Sequence, residues 1–298
     1  MNENGMRPPD QYRKERVIPD VTPGKLRIVG IGPGDPKHLT LWAVETILKA
    51  DLILTRPENA MVVKPYLEGK TVVGPERWNL LWKVNGKPWL RALPGMEGGE
   101  RRSLIARKNR ERDAYADELK ALLASGKEIV ILDGGDPTVF ATFFFWILEA
   151  FSPDQVEIIP GVGAITASFA ALKRCSTGAG AHFVIQTEPE SFFGQPHPGD
   201  SPYGPVDDVT RYPGTLVFYM AADGIASLAE RLRQHLAGNT PAAVVYHAGV
   251  TDKEIICRGT LDTIAGLTRD EEEKWVGLVI VGRCLEMALP PPDSYHRI

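Results

Sequence analysis

Two short turns do most to limit what this chain can fold into. Residues 26–29 (Leu-Arg-Ile-Val) run straight into Gly30-Ile31-Gly32-Pro33-Gly34-Asp35, and residues 129–132 (Ile-Val-Ile-Leu) lead to Gly134-Gly135-Asp136-Pro137. A short apolar run that stops in a glycine-rich turn reads as a strand leaving the carboxyl edge of a buried sheet. Residues 39–50 then follow a helical period, with Leu41, Val44, Ile47 and Leu48 expected on one face and Thr40 or Asp35 as the cap. Residues 51–54 (Asp-Leu-Ile-Leu) read as the next strand. That order predicts a parallel sheet with right-handed crossovers. Such sheets bind ligands beyond the carboxyl ends of their strands, so the two turns are expected to meet at one small-molecule site.

The pattern continues along the chain. A helix is expected over residues 101–125, a strand over 129–132, an apolar helix over 138–151 and a strand over 156–159 ending at Pro160-Gly161. A helix of small residues follows at 164–172. Further strands are expected at 182–186, 215–219, 242–246, 255–258 and 277–281, with helices at 224–236 and 260–267. The fold class is therefore α/β, with two α/β domains of mainly parallel or mixed sheets and a ligand cleft between them. Residues 1–24 are polar and proline-containing and are expected to be a flexible arm. The N-terminal domain is placed at 25–178 and the C-terminal domain at 179–298. Residues 78–99, rich in Gly, Pro and Trp, look like an insertion. Residues 188–214 read as a loop, and the tail carrying Pro290-Pro291-Pro292 as irregular.

Composition narrows the function classes. The 298 residues are 43% hydrophobic and 24% charged with a net charge of −4, which fits a globular protein and argues against a general nucleic-acid binder. The three cysteines form no CxxC pair and the six histidines have no metal-ligand spacing, so no metal is expected. No apolar run has the length of a membrane span, and a cytoplasmic protein without a membrane partner is the expectation.

The first turn is not a dinucleotide fingerprint, because Asp35 stands where the third glycine belongs and Pro33 lacks an N–H. Asp136 can cap the following element or accept hydrogen bonds from a ligand. Pro160-Gly161-Val162-Gly163-Ala164 is a third strand-end turn whose small residues allow close approach. Arg101, Arg102, Arg107, Lys108, Arg110 and Arg112 form a basic stretch that is either a solvated helix face or an attractor for a polycarboxylate, with Arg107 and Arg110 the candidate substrate contacts.

Six segments in series resemble the tetrapyrrole (corrin/porphyrin) methylase superfamily. They are GIGPGD, LDGGDPTVFA, EIIPGVGAITASFAAL, GTLVFYMA, PAAVVYHAGVTDKEIICRGTL and GLVIVGR, together covering residues 26–283. The resemblance implies a methyltransferase using S-adenosyl-L-methionine (SAM) bound between two domains, a small-molecule tetrapyrrole as acceptor, and a homodimer. Carried over residue by residue, it implies cofactor contacts at Pro33, at Gly135, Asp136 and Val139, and at Gly163 and Ala164. It further implies contacts at Met220, at Tyr246, His247 and Ala248, and at Gly259 and Thr260. It names no catalytic side chain, since the tetrapyrrole carbon is itself the nucleophile. Phe140-Ala141-Thr142 is similar to the segment of precorrin-2 carbon-20 methyltransferases, which points to the corrin branch and cobalamin biosynthesis. A protein or RNA acceptor, as in the diphthine-synthase and ribosomal-RNA branches, and a SAM-binding regulatory chain without catalysis stay open as alternatives.

Overall fold

The computed structural model describes residues 22–73, 83–84, 87–88, 96–139, 145–178, 181, 183–194, 210–211, 213–268 and 276–286. In chain order the first part runs β1 (Leu26–Gly30), α1 (Leu41–Lys49), β2 (Leu52–Leu54), α2 (Pro57–Val62) and β3 (Thr71–Val73). A small hairpin of β4 (Lys83–Val84) and β5 (Lys87–Pro88) follows, then α3 (Gly98–Ala124), β6 (Ile129–Asp133), α4 (Phe145–Ala150) and β7 (Val156–Ile159). The second part runs α5 (Ala164–Leu172), β8 (Val184–Thr187), α6 (Pro189–Phe192), β9 (Thr215–Phe218) and α7 (Ile225–Leu232). It ends with β10 (Pro241–Tyr246), β11 (Ile255–Thr260), α8 (Ile264–Leu267) and β12 (Leu278–Val281).

The first sheet has five parallel strands in the order β3-β2-β6-β1-β7. Both of its faces are covered, which is why Ile129, Val130, Ile131 and Leu132 are apolar without alternation. One face packs Ala43 and Ile47 of α1 against Val29, Val130 and Leu132. The other packs Tyr115, Leu119 and Leu123 of α3 against Leu26, Ile28, Leu54, Ile129 and Ile131. The second sheet is mixed, in the order β11-β10-β12-β9-β8, with only β8 and β9 parallel. Helix α5 leaves β7 of the first sheet yet lays Ala167, Phe169 and Leu172 on Val217, Val245 and Ile280 of the second. The two sheets are thereby tied through one helix, whose last carbonyl, Leu172 O, accepts from Arg258 Nη2 at 2.9 Å.

Several expected elements take different bounds. On α1 the buried positions are Ala43, Thr46 and Ile47, whereas Leu41 is 84% exposed and Leu48 52% exposed. The small Ala43 lets the helix lie close to the sheet on that stripe, and Thr46 is tolerated there because its hydroxyl donates to Trp42 O at 2.7 Å. Thr40 is the cap, accepting from Ala43 N–H at 3.0 Å, while Asp35 caps the preceding short turn through Lys37 N–H. Residues 137–139 form a turn, and of the helix expected over 138–151 the described residues show α4; residues 140–144 lie outside them. Residues 1–21, most of 78–99 and of 188–214, His182 and the proline tail also lie outside them. The helix expected at 224–236 ends at Leu232, and the one at 260–267 shrinks to α8 because Thr260 still belongs to β11.

The turns at the carboxyl edge of the first sheet touch through backbone alone. A Cβ on Gly30 would stand 2.7 Å from Gly161 N and 2.8 Å from both Gly135 O and Pro137 Cδ, and one on Gly161 would collide with Gly135 O and lie 2.8 Å from Gly30 C. Backbone cannot step aside as a side chain can. Gly161→Ala is therefore expected to cost about 3 kcal/mol, the upper range for overpacking, read as a lower midpoint in urea denaturation.

Candidate functional site

Two strand-end turns of the first sheet and two edges of the second enclose a cavity of about 200 Å³. Gly134, Gly135, Asp136 and Val139 line it from the turn after β6, and Gly163 and Ala164 from the start of α5. Tyr219 and Met220, after β9, and Val276, Gly277 and Leu278, at the start of β12, close it from the other side. The wall is mostly backbone and apolar carbon. Gly135 is held at φ +80 and pairs with Gly32, whose O accepts from Gly135 N–H at 2.7 Å. That pairing fixes the turn after β6 against the turn after β1.

Asp136 Oδ1 accepts from both Thr138 N–H, at 2.9 Å, and Thr138 Oγ1, at 2.7 Å. It therefore caps the turn over residues 137–139, and Asp136 also lines the cavity. Tyr219 is 8% exposed and donates to Gln186 Oε1 at 3.1 Å. Burial first, and then the nearby Asp136 charge, push its hydroxyl up to about 12, so it stays a donor at neutral pH. Met220 and His247 both have left-handed backbone, at φ +55 and φ +47, one at the end of β9 and one at the end of β10. Non-glycine residues in this region store strain, and such strain gathers at ligand sites.

The turn after β1 meets the second sheet rather than the cavity wall. Asp35 Oδ2 accepts from Thr251 Oγ1 at 2.8 Å, and the Asp35 carboxyl is held below its ordinary value by Lys37 N–H first and Thr251 second. A Cβ on Gly249 would come within 2.9 Å of Pro33 Cγ and 2.8 Å of His38 Cε1. Pro33, expected at the cofactor, thus packs against Gly249 of the second part and does not line the cavity.

Of the residues expected at the site, the structure brings Gly135, Asp136, Val139, Gly163, Ala164 and Met220 to one cavity. Tyr246 is fully buried behind it, with its ring against Gly277, and His247 and Ala248 continue the same strand end. Gly259 and Thr260 are not at the cavity. They pair with Ala242 and Pro241, whereas Leu278 at the cavity pairs with Val245, about three residues or 10 Å along β10. Gly259 is small because Leu267 Cδ1 of α8 packs over it, and Thr260 N–H donates to Thr263 Oγ1 at 3.0 Å. Arg107 and Arg110 are exposed on α3, and Arg107 lies 3.8 Å from Glu111. Among the described residues no group of three His, Cys, Asp or Glu side chains is placed to hold a metal.

Tyr219, Val276, Gly277 and Leu278 line the cavity without having been expected there. Tyr219 precedes Met220 at a strand end and was legible by the same rule. The β12 residues enter at the start of a strand that runs antiparallel to its neighbours, where no carboxyl-edge rule applies. Asp133 and Arg56 were also missed. Asp133 ends the otherwise apolar β6 and is 4% exposed. Burial pushes its carboxyl up to about 7, opposed by the Arg56 charge and Gly134 N–H and assisted by Asp136.

The chain is similar to known proteins in both sequence and structure. A family model described as Tetrapyrrole (Corrin/Porphyrin) Methylases matches residues 25–265. The chain is 29% identical over 268 residues to a cobalt-precorrin-4 C(11)-methyltransferase of Methanocaldococcus jannaschii, covering 88% of each. It is 33% identical over 185 residues to a precorrin-4 C(11)-methyltransferase of Rhodococcus erythropolis, covering 60% of this chain and 72% of that protein. It is also 28% identical over 277 residues to a siroheme synthase of Pseudomonas fluorescens, of which it spans only 51%. Among solved structures, a cobalt precorrin-4 methyltransferase superposes with a TM-score of 0.62 at 19% identity, over 88% of this chain and 96% of that one. A uroporphyrin-III C-methyl transferase from Thermus thermophilus complexed with S-adenyl homocysteine does so with a TM-score of 0.54 at 25% identity, over 88% and 99%.

The raised Asp133 carboxyl has a consequence for stability. Its folded-state pKa lies above the ordinary value, so the folded chain holds the proton over a range where the unfolded chain has lost it. The resulting stability is complete below about pH 4 and is lost as pH rises through about 7. Asp133→Asn is neutral throughout. In urea unfolding its stability relative to wild type should therefore rise between pH 4 and pH 8 by a few kcal/mol, at about 1.4 kcal/mol per pKa unit.

Proposed function

Since the chain belongs to the tetrapyrrole (corrin/porphyrin) methylase family, we propose that it is a SAM-dependent C-methyltransferase whose acceptor is a tetrapyrrole, a corrin or porphyrin precursor. The observation that carries this reading is the single cavity built by the turns after β6 and β7 together with Tyr219, Met220 and Gly277. The relatives named above, for cobalt-precorrin-4, precorrin-4 and siroheme reactions, support a place in cobalamin or siroheme biosynthesis. They are named for the C(11) and siroheme reactions rather than for carbon 20, and Phe140-Ala141-Thr142, which pointed to carbon 20, lie outside the described residues.

The cavity residues suit SAM. Bare backbone at Gly134, Gly135 and Gly163 admits a flat, polar ligand closely, and the Asp136 carboxylate offers an acceptor for its hydroxyl or amine groups. Met220 and Val139, each 37% exposed, present apolar surface to an adenine face. Residues 246–248 support these contacts from behind. When bound, SAM supplies an electrophilic methyl carbon. The residues of this chain hold and align it against the acceptor carbon and keep water out. Alignment of this kind contributes several kcal/mol to lowering a barrier. Tyr219, held protonated, keeps the wall beside Asp136 uncharged. Residues 25–178 and 179–298 act in this reading as two units closing on one cofactor.

Incubation with methyl-labelled SAM and a panel of tetrapyrroles tests the proposal. Label in a carbon-methylated tetrapyrrole is the expected result, and label found only in protein or RNA would overturn it. At the cofactor, Asp136→Ala should weaken SAM binding by about 1–3 kcal/mol, the cost of losing a charged hydrogen-bond acceptor. Isothermal calorimetry on the folded variant measures this, and an unchanged Kd would remove Asp136 from the cofactor contacts.

A further inference from the structure

We propose that Gln186, near the end of β8 beside the cavity, is a specificity-determining residue that holds a carboxylate of the tetrapyrrole acceptor through its side-chain amide N–H groups. This rests on the tetrapyrrole reading above. Strands β8 and β9 are the parallel pair of the second sheet, so that sheet also has a short carboxyl edge of the kind at which ligands sit. Gln186 pairs with Val217 and Thr187 with Phe218, and Tyr219 N–H donates to Thr187 O at 3.0 Å. Residues paired in register share a face of the sheet. Val184, Val217 and Tyr219 lie on the face that α5 covers, and Gln186 lies on it too. Helix α5 brings Ala164 to the cavity at its amino end, and Tyr219 lines the same cavity. Gln186 therefore stands on the cavity's face and at its end of the sheet, one strand further out, where β8 is the edge.

The side chain is exposed, yet its orientation is set. The Tyr219 hydroxyl donates to Gln186 Oε1 at 3.1 Å. That hydroxyl keeps its proton at neutral pH, because burial first and the Asp136 charge second push it up to about 12. A phenol donor selects the amide oxygen, so Oε1 is turned toward Tyr219 and Nε2 away from it. Nε2 carries two N–H donors, and among the described residues neither has a partner. The backbone at this point is also fixed. Beyond β8 the chain enters α6, whose Phe192 is 2% exposed and meets the Phe218 ring edge-on at 5.2 Å. β9 holds Gln186 on one side and Phe192 anchors the segment after it.

Charge decides what such donors take. Asp136 is the one charged residue lining the cavity, and Tyr219 feels its charge while bonding Gln186. A carboxylate of the acceptor is repelled at the Asp136 end of this wall and meets N–H donors at the Gln186 end. A hydrogen bond to an ionised oxygen is stronger than one between neutral groups, so an oriented primary amide favours a carboxylate over a neutral substituent. Because the amide is already held by Tyr219, little side-chain freedom is lost when the carboxylate arrives.

The experiment titrates uroporphyrin III into the full chain by fluorescence at low salt, for wild type, Gln186→Leu and Gln186→Glu. Gln186→Glu keeps an oxygen for the Tyr219 hydroxyl and removes the N–H donors, so it separates donation to the ligand from support of Tyr219. The inference expects Gln186→Leu to raise the Kd about tenfold, the loss of a hydrogen bond to a charged group, and Gln186→Glu to raise it further by setting a charge against the carboxylate. Calorimetric SAM affinity should stay within about twofold in all three, since the amide faces the acceptor and not the cofactor. Residue 186 is exposed, so both variants should keep the wild-type melting temperature within a few degrees. A Kd equal to wild type in either variant would overturn the inference while leaving the tetrapyrrole reading intact, as would a parallel loss of SAM affinity. A wild-type chain that binds no tetrapyrrole would overturn the reading itself, and the inference with it.

Discussion

Backbone packing among Gly30, Gly135 and Gly161 is the constraint from which the rest of the site follows. These residues end or follow three neighbouring strands, and no side chain separates them. Gly32 and Gly135 exchange backbone hydrogen bonds at 3.2 and 2.7 Å, an isolated antiparallel bridge laid across an otherwise parallel edge. Because the contact is between main chains, the relative heights of the three turns have little freedom. The cavity wall inherits that rigidity. Gly134 and Asp136 flank the bridged glycine, and Gly163 and Ala164 follow Gly161 by two and three residues. A preorganised wall of this kind reduces what a ligand must spend on ordering its site.

The second sheet meets this rigid edge through a softer join. Asp35 and Thr251 form one exposed hydrogen bond, and Gly249 accepts the close approach of Pro33 and His38. Exposed polar contacts of this sort contribute about 1 kcal/mol or less. The apolar weight of the join lies elsewhere, in α5, which follows β7, the last strand of the first sheet in the chain, and packs into the core of the second. Helix α5 and this polar contact therefore join the two sheets on opposite sides of the turn after β7. Met220 and His247, both in left-handed backbone, lie at the ends of β9 and β10. Strain there is tolerated because β9 and β10 are buried along their whole lengths, apart from Pro241.

Much of this was legible in the sequence, for identifiable reasons. The strand ends at Gly30, Asp133 and Ile159 announce themselves because fully buried parallel strands are continuous apolar runs and their turns need glycine. The turns that hold cavity residues 135, 136, 163 and 164 follow from the same rule, whereas Val139 and Met220 were implied by the family resemblance. The inward face of α1 was misread because Leu41 and Leu48 outweigh Ala43 by hydrophobicity, whereas close helix–sheet contact selects the small residue. Gly259 and Thr260, which the family resemblance implies as cofactor contacts, lie away from the residues that line the cavity. Local spacing does not report that β11 delivers its end to the opposite rim of the sheet. Gly277 is brought to the cavity by antiparallel pairing of β12 with β9, which depends on register over about sixty residues of chain. Arg56 carries no local signal at all, since its partner Asp133 is 77 positions away.

Asp133 shows how the edge of a sheet changes from structural to chemical duty within one residue. Ile129 to Leu132 are buried and need nothing but apolar neighbours. Another apolar residue at 133 would extend the same core by one layer. A carboxyl in that position instead costs desolvation, as its raised pKa records, and the neighbouring Arg56 offsets only part of that cost. Such a pair adds little to stability, because removing two charges from water is about as expensive as their attraction is favourable. The cost is carried at the residue of β6 that adjoins Gly134, the first residue of that turn to line the cavity, so the sheet stops being purely structural where the site begins.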